Sequence, residues 1–270
     1  LETEDDTGID GSSFLTFRQL ISPTSRQVSQ ISRKQHQIAE RETGILRIAR
    51  EIVATDGPGA LTMERVLARV DFSKGTLYNH FTCREDLIVA LHAECFAEHC
   101  EIFSRGALFR GRPRERAFAA LIGSELYDRL TTFRFTPCAT SDILGVASER
   151  WREAFTSNLR ENVLVFGGIV RDGIAQEDLP EHHDPEQIAS SVWSIWEGSE
   201  ALRRAGLIYR NLPPQRFTRA RDQMVATLLD GFSWRPLSHE HDYAASRRRI
   251  LAEVFPKEAA TTGLAEEAPA

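Results

Sequence analysis

No stretch of the sequence approaches the roughly 20 consecutive apolar residues that a membrane span requires, and the opening LETEDD is acidic where a secretory signal would be basic. Cysteine is sparse: Cys83, Cys95, Cys100 and Cys138 form no C-x-x-C pair and are too few to staple 270 residues. These absences predict a cytoplasmic protein in a reducing compartment with no membrane partner. Runs of alternating β-branched residues are also missing, so a sheet is not expected. Gly57 and Gly59 make no phosphate-cradling loop, and His80 has no nucleophile or carboxylate placed beside it for a triad. Neither an enzyme nor a cofactor is expected.

Net charge is −6, which argues against simple electrostatic attachment of the whole chain to nucleic acid. Its distribution is uneven. Between residues 15 and 50 stand Arg18, Arg26, Arg33, Lys34, Arg41, Arg47 and Arg50 against Glu40 and Glu42, a net +5, so the remainder carries −11. A basic end that meets a polyanion and an acidic body that does not would produce this pattern, as would a solvated charge run on an exposed helix.

What the chain has in quantity is helical periodicity. Residues 1–38, rich in Ser, Thr and Gln, read as a flexible arm. In GILRIAREIVATDGPGA, Ile45, Ile48, Ala49 and Ile52 share one helix face, and DGPG ends the helix. Thr62 then caps a short second helix with Val66, Leu67 and Val70 inward. Three residues later KGTLYNHF forms a third helix of barely two turns. Leu77 and Phe81 point inward there, leaving Lys74, Thr76, Asn79 and His80 on other faces. Two short helices joined by a tight turn are what the major groove of B-DNA, about 12 Å wide, can receive. Further helices are expected at 84–105, 112–132, 148–176, 185–206, 214–233 and 238–255, with a less regular piece at 138–146. The fold class is therefore all-α, a three-helix helix-turn-helix domain at 39–84 followed by a larger helical bundle at 85–256. A low-complexity tail at 257–270 is expected to be disordered.

The segment ending in Gly75, Thr76, Leu77, Tyr78, His80, Phe81, Arg84, Glu85 and Leu87 resembles the G-T-L-Y-x-H-F-x-x-[KR]-E-x-L pattern of the TetR family of bacterial transcriptional regulators. Two positions depart from it. Asp71 stands in the turn where the family usually has glycine, and Leu67 where its second helix has a small residue. The resemblance implies that Thr62, Lys74, Tyr78, His80 and Arg84 touch the DNA backbone, while Gly75 allows close approach and Thr76 and Asn79 read bases. It further implies a homodimer on double-stranded palindromic operator DNA, a repressor released by a small, largely apolar effector. The last two large helices would pair with their copies through Ile188, Val192, Ile195, Phe217, Met224 and Leu228. Phe135, Phe155, Phe166, Trp193 and Trp196 are the cavity candidates, although for any single one of them filling a solid core is the simpler role.

Two rival readings stay open at this stage. One is a regulator of the same kind without a small-molecule ligand. The other is an all-α metal-binding protein or enzyme built on His92, Cys95 and His99, spaced three and four apart in LHAECFAEHC. The same positions also fit an amphipathic core stripe with Ile88, Leu91 and Ile102, and no metal is expected. His182, His183, His239 and His241 read as solvated.

Overall fold

A computed structural model describes residues 33–131, 141–204, 206 and 212–264 of the chain. By internal contacts it divides into two compact units, residues 1–47 and 48–270. The first is described from Arg33, where α1 (Arg33–Asp56) begins ahead of the boundary expected at residue 39. Residues 1–32 of the expected arm, and Phe135, lie outside the described residues.

In the second unit a short turn at Pro58–Ala60 leads to α2 (Met63–Leu67) and α3 (Lys74–His80). The bundle follows with α4 (Arg84–Ala107), α5 (Pro113–Leu130), α6 (Ser141–Val146) and α7 (Glu149–Ala175). It continues with α8 (Pro185–Arg204), α9 (Pro214–Gly231), α10 (Tyr243–Glu253) and α11 (Pro256–Thr262). No strand occurs among the described residues.

The long α4 packs along both α5 and α7, α7 packs on α8, and α8 on α9. One core gathers Phe103, Val165, Phe166, Ile169, Val170, Ile188, Val192, Trp196 and Trp234. At about 1.5–3 kcal/mol for each large side chain removed from water, this cluster is a main source of the bundle's stability. Helices α4 and α5 meet closely because small residues face each other. A Cβ on Gly106 would lie 2.4 Å from the carbonyl oxygen of Ala119, so only glycine fits there.

One expectation changes. The carboxy-terminal stretch is not an unstructured tail as far as Leu264: α11 forms, and Phe255, Ala259 and Leu264 are buried with Phe109, Ile122 and Leu126. The apolar spacing of these few residues is what the low-complexity composition concealed. The turn at Asp71, where the family usually has glycine, forms without positive φ, since the positive-φ non-glycine residues among those described are Glu177 and Ser233.

Candidate nucleic-acid interface

Helix α3 owes its start to Ser73, whose hydroxyl accepts a hydrogen bond from the Thr76 amide at 3.3 Å and lies 3.1 Å from the Thr76 hydroxyl. Its inward side is fixed by Leu77 and Phe81, both fully buried. What remains outward is Lys74, Gly75 and Asn79, all exposed, with Thr76, Tyr78 and His80 half-buried beside them. The Lys74 ammonium stands 5.4 Å from the centre of the Tyr78 ring, so charge and hydroxyl occupy one patch. No side chain approaches a Cβ placed on Gly75 closer than the Ser73 hydroxyl at 3.9 Å, so backbone here is open to a large partner.

Thr62 and Arg84 do different work from the rest of the expected set. The Thr62 hydroxyl caps α2 by accepting from the Arg65 amide at 3.2 Å. Arg84 donates from Nε to the Leu61 carbonyl at 2.7 Å and from Nη2 to the Pro58 carbonyl at 3.3 Å. It fastens the turn before α2 to the start of α4. Spacing could not reveal the role of Arg84, because its acceptors are backbone carbonyls more than twenty residues away.

Sequence reasoning also missed Asp86. Only 1% exposed, its carboxylate accepts from the amide and hydroxyl of Thr82, each at 2.8 Å, and from the Ser148 amide at 2.7 Å. These hydrogen bonds hold its pKa below the ordinary carboxylate value against the opposing effect of burial. Thr82 four residues before an acid, ahead of an apolar run, is the one signal that could have found it. Phe81, directly after α3, stacks on Trp151 of α7 at 5.0 Å and 7°. The end of α3 and the start of α7 are thus joined twice.

The other expected residues fall into three places. Ile188 and Val192 lie in the chain's own core, Ile195 and Leu228 pack against it, and Phe217 is 4% exposed beneath Arg203 and Arg221. Ile188, Val192 and Phe217 are therefore occupied within the chain, and Met224 stays half-buried at its surface. Phe155 and Trp193 both pack edge-on against Phe96, and Phe166 is in the core. Of the cavity candidates, Trp196 does line a cavity, but one bounded by α5, α9 and α10.

His92, Cys95 and His99 do not converge as ligands. Among the described residues no group of three or more His, Cys, Asp or Glu could hold a metal ion. His99 has Nε2 2.8 Å from the Ser124 hydroxyl and Nδ1 3.1 Å from the Asn162 amide nitrogen. The Asn162 amide oxygen is buried without a partner. Rotating that amide by half a turn puts its oxygen on the His99 Nδ1–H, and Nε2 then accepts from Ser124. Ser124 is 1% exposed, so this arrangement locks α4, α5 and α7 together and offers no nucleophile to a substrate. Burial raises the Cys95 thiol to about 11, which disfavours the thiolate a metal would need.

Residues 45–91 match the model of the bacterial regulatory proteins of the tetR family. No curated protein matches the chain. Among solved structures, a TetR-family transcriptional regulator from Pectobacterium atrosepticum aligns with a TM-score of 0.54 at 18% identity, over 73% of this chain and 96% of its own. A TetR/AcrR-family regulator from Thermobifida fusca YX-ER1 aligns at 0.49 and 21% identity, over 72% and 98%. SmeT, the repressor of the Stenotrophomonas maltophilia multidrug efflux pump SmeDEF, aligns at 0.47 and 15%, over 71% and 89%. At 18% identity the likeness to the Pectobacterium protein establishes the fold, and the matched segment covers the capped α3 and its outward patch. On these grounds residues 45–91 are identified as a DNA-binding segment of the tetR-family type, carried on a chain that has the fold of a TetR-family regulator.

Proposed function

We propose that this regulator is a homodimeric repressor, that α3 of each copy enters the major groove of a palindromic operator, and that a small ligand in the bundle releases it. The observation that carries the reading is the two-sided character of α3: Leu77 and Phe81 are buried while Lys74, Gly75 and Asn79 face outward. Lys74 and the hydroxyl of Tyr78 suit phosphate oxygens, and the Asn79 amide suits an adenine edge. Two such helices must reach grooves about one turn apart, which a single copy cannot do. With Ile188, Val192 and Phe217 engaged in the chain's own core, the proposed contact between copies moves outward on α8 and α9, to Leu202, 38% exposed, and to Met224.

Release would run through the double link between α3 and α7. A ligand that shifts α4 or α7 moves the Asp86–Ser148 and Phe81–Trp151 contacts and with them the angle of α3. A hundredfold loss of operator affinity needs about 2.7 kcal/mol of preference for the displaced arrangement, within the usual range of coupling energies. The cavity beside Trp196 favours a ligand-responsive regulator over one with a solid bundle.

Salt dependence tests the interface. With an operator recovered from genomic fragments, Lys74→Ala should lower the slope of log affinity against log salt by about one phosphate contact. Arg84→Ala should leave the slope unchanged and lower the unfolding free energy by about 1–3 kcal/mol through its two orphaned carbonyls. The opposite pattern would remove α3 as drawn from the DNA.

A further inference from the structure

Helices α5, α9 and α10, with Leu264 after α11, enclose a cavity of about 650 Å³. That is within the span of roughly 300–1,000 Å³ typical of small-molecule sites. One half is apolar, walled by Phe118, Leu121, Leu229, Leu251 and Leu264.

The other half is cationic. Glu125 of α5, 2% exposed, lies 2.9 Å from Arg129 and also accepts from Arg247. Asp222 of α9 lies 3.4 Å from Arg247. Behind them Arg221, 1% exposed, lies over Trp196 with its guanidinium carbon 3.4 Å from the ring centre. Its Nη1 donates to Glu200 at 3.2 Å, whereas Nε and Nη2 are buried with no hydrogen-bond partner. Three arginines therefore act on the two carboxylates Glu125 and Asp222. At the mouth, Arg219 and Arg248 are exposed and have no ion pair among the described residues. Asp242, also at the mouth, is occupied in capping α10 through the Ala245 amide.

From this lining we infer that the cavity binds an amphipathic organic anion, its apolar body against Leu229 and Leu251 and its acidic head against Arg219, Arg248 and Arg247. A cation would meet an excess of positive charge, and a neutral apolar molecule would leave Arg219 and Arg248 without an anionic partner. A carboxylate or similar head matches the fork of an arginine and takes paired, charge-assisted hydrogen bonds. Of the residues expected to hold the ligand, Trp196 lines this cavity, whereas Phe155 and Trp193 pack against Phe96 outside its lining. One wall, α5, packs along α4, which starts just beyond α3, so occupancy has a route to the DNA-binding helix. Only this last consequence rests on the ligand-responsive reading; the binding does not.

The test titrates the full chain with dodecanoate and dodecanol, and with naphthoate and naphthalenemethanol, following tryptophan fluorescence. At least one acid should bind about tenfold or more tightly than its neutral counterpart. The double variant Arg219→Ala/Arg248→Ala, altered at exposed positions, should erase most of that preference and leave the neutral compounds unchanged. Ala226→Trp should block all of them, and circular dichroism of each variant identifies one that has not folded. If neither acid outbinds its neutral partner, or if the double variant keeps the full preference, the inference is overturned. Operator binding is measured separately by fluorescence anisotropy. An acid that binds as expected yet leaves operator affinity unchanged sustains the site and defeats the release mechanism.

Discussion

His99 sits where Ser124 and Asn162 take both of its ring nitrogens, and burial depresses its pKa to about 4; His92, edge-on to Phe155, is depressed to about 4 by the same cause. Both are neutral in the fold at pH values where the unfolded chain, near 6.5, has begun to take up protons. Their contribution to stability is complete above about pH 6.5 and is lost as pH falls toward 4, by up to about 3 kcal/mol for each histidine. Asp222 works in the opposite direction, because burial and the facing Glu125 push it up to about 6, so it favours the fold less as pH rises through that value. With two histidines against one aspartate, urea midpoints should fall between pH 7 and pH 5, and His92→Phe should remove well over half of the fall, because the Asp222 contribution then nearly offsets the remaining histidine. A midpoint independent of pH over this interval would mean that the imidazoles are solvated. The residue types were readable from LHAECFAEHC, but whether they formed a metal site or a core network depended on Ser124 and Asn162, which other helices supply.

At the scale of helices, the crossing of α4 on α5 is decided by what is missing at Gly106. A methyl group there would stand 2.4 Å from the Ala119 carbonyl oxygen and 2.6 Å from the Ala120 Cα, both backbone atoms that cannot rotate away. Gly106→Ala should therefore destabilise the protein by about 1–3 kcal/mol in chemical denaturation, even though alanine is the better helix former. Gly168 of α7 has nothing within 4 Å of an added Cβ, and Gly168→Ala should stabilise by up to about 1 kcal/mol. Equal effects at the two sites would show that helix propensity, not the α4–α5 contact, sets the outcome. The limits of α4, α5, α7, α8 and α9 fall within a few residues of those expected from apolar spacing and from the Gly and Pro breaks. The partners of each helix were not legible, since periodicity marks a buried face without saying what buries it.

For the molecule as a whole, the carboxy-terminal segment is part of the bundle as far as Leu264. Phe255, Ala259 and Leu264 cover Ile122 and Leu126, and Leu264 also closes the cavity. Deleting residues 255–270 should expose that face, remove about two large buried side chains at about 1.5–3 kcal/mol each, and lower Tm by roughly 10 °C. Thermal unfolding followed by circular dichroism measures it; an unchanged Tm would restore the expected disordered tail.

The amino-acid order alone determined the helical class, the limits of α4, α5, α7, α8 and α9 and the pattern from Gly75 to Leu87 that marks the DNA-binding segment, because each depends on local capping, breakers and spacing. Only the tertiary structure decided that Arg84 grips two carbonyls, that Asp86 ties α4 to α7, and that Ile188, Val192 and Phe217 serve the chain's own core. It also decided where the cavity lies. Arg129, Trp196, Arg219 and Arg247 come from four helices spread over more than a hundred residues, and no sequence period records which faces of α5, α8, α9 and α10 will meet.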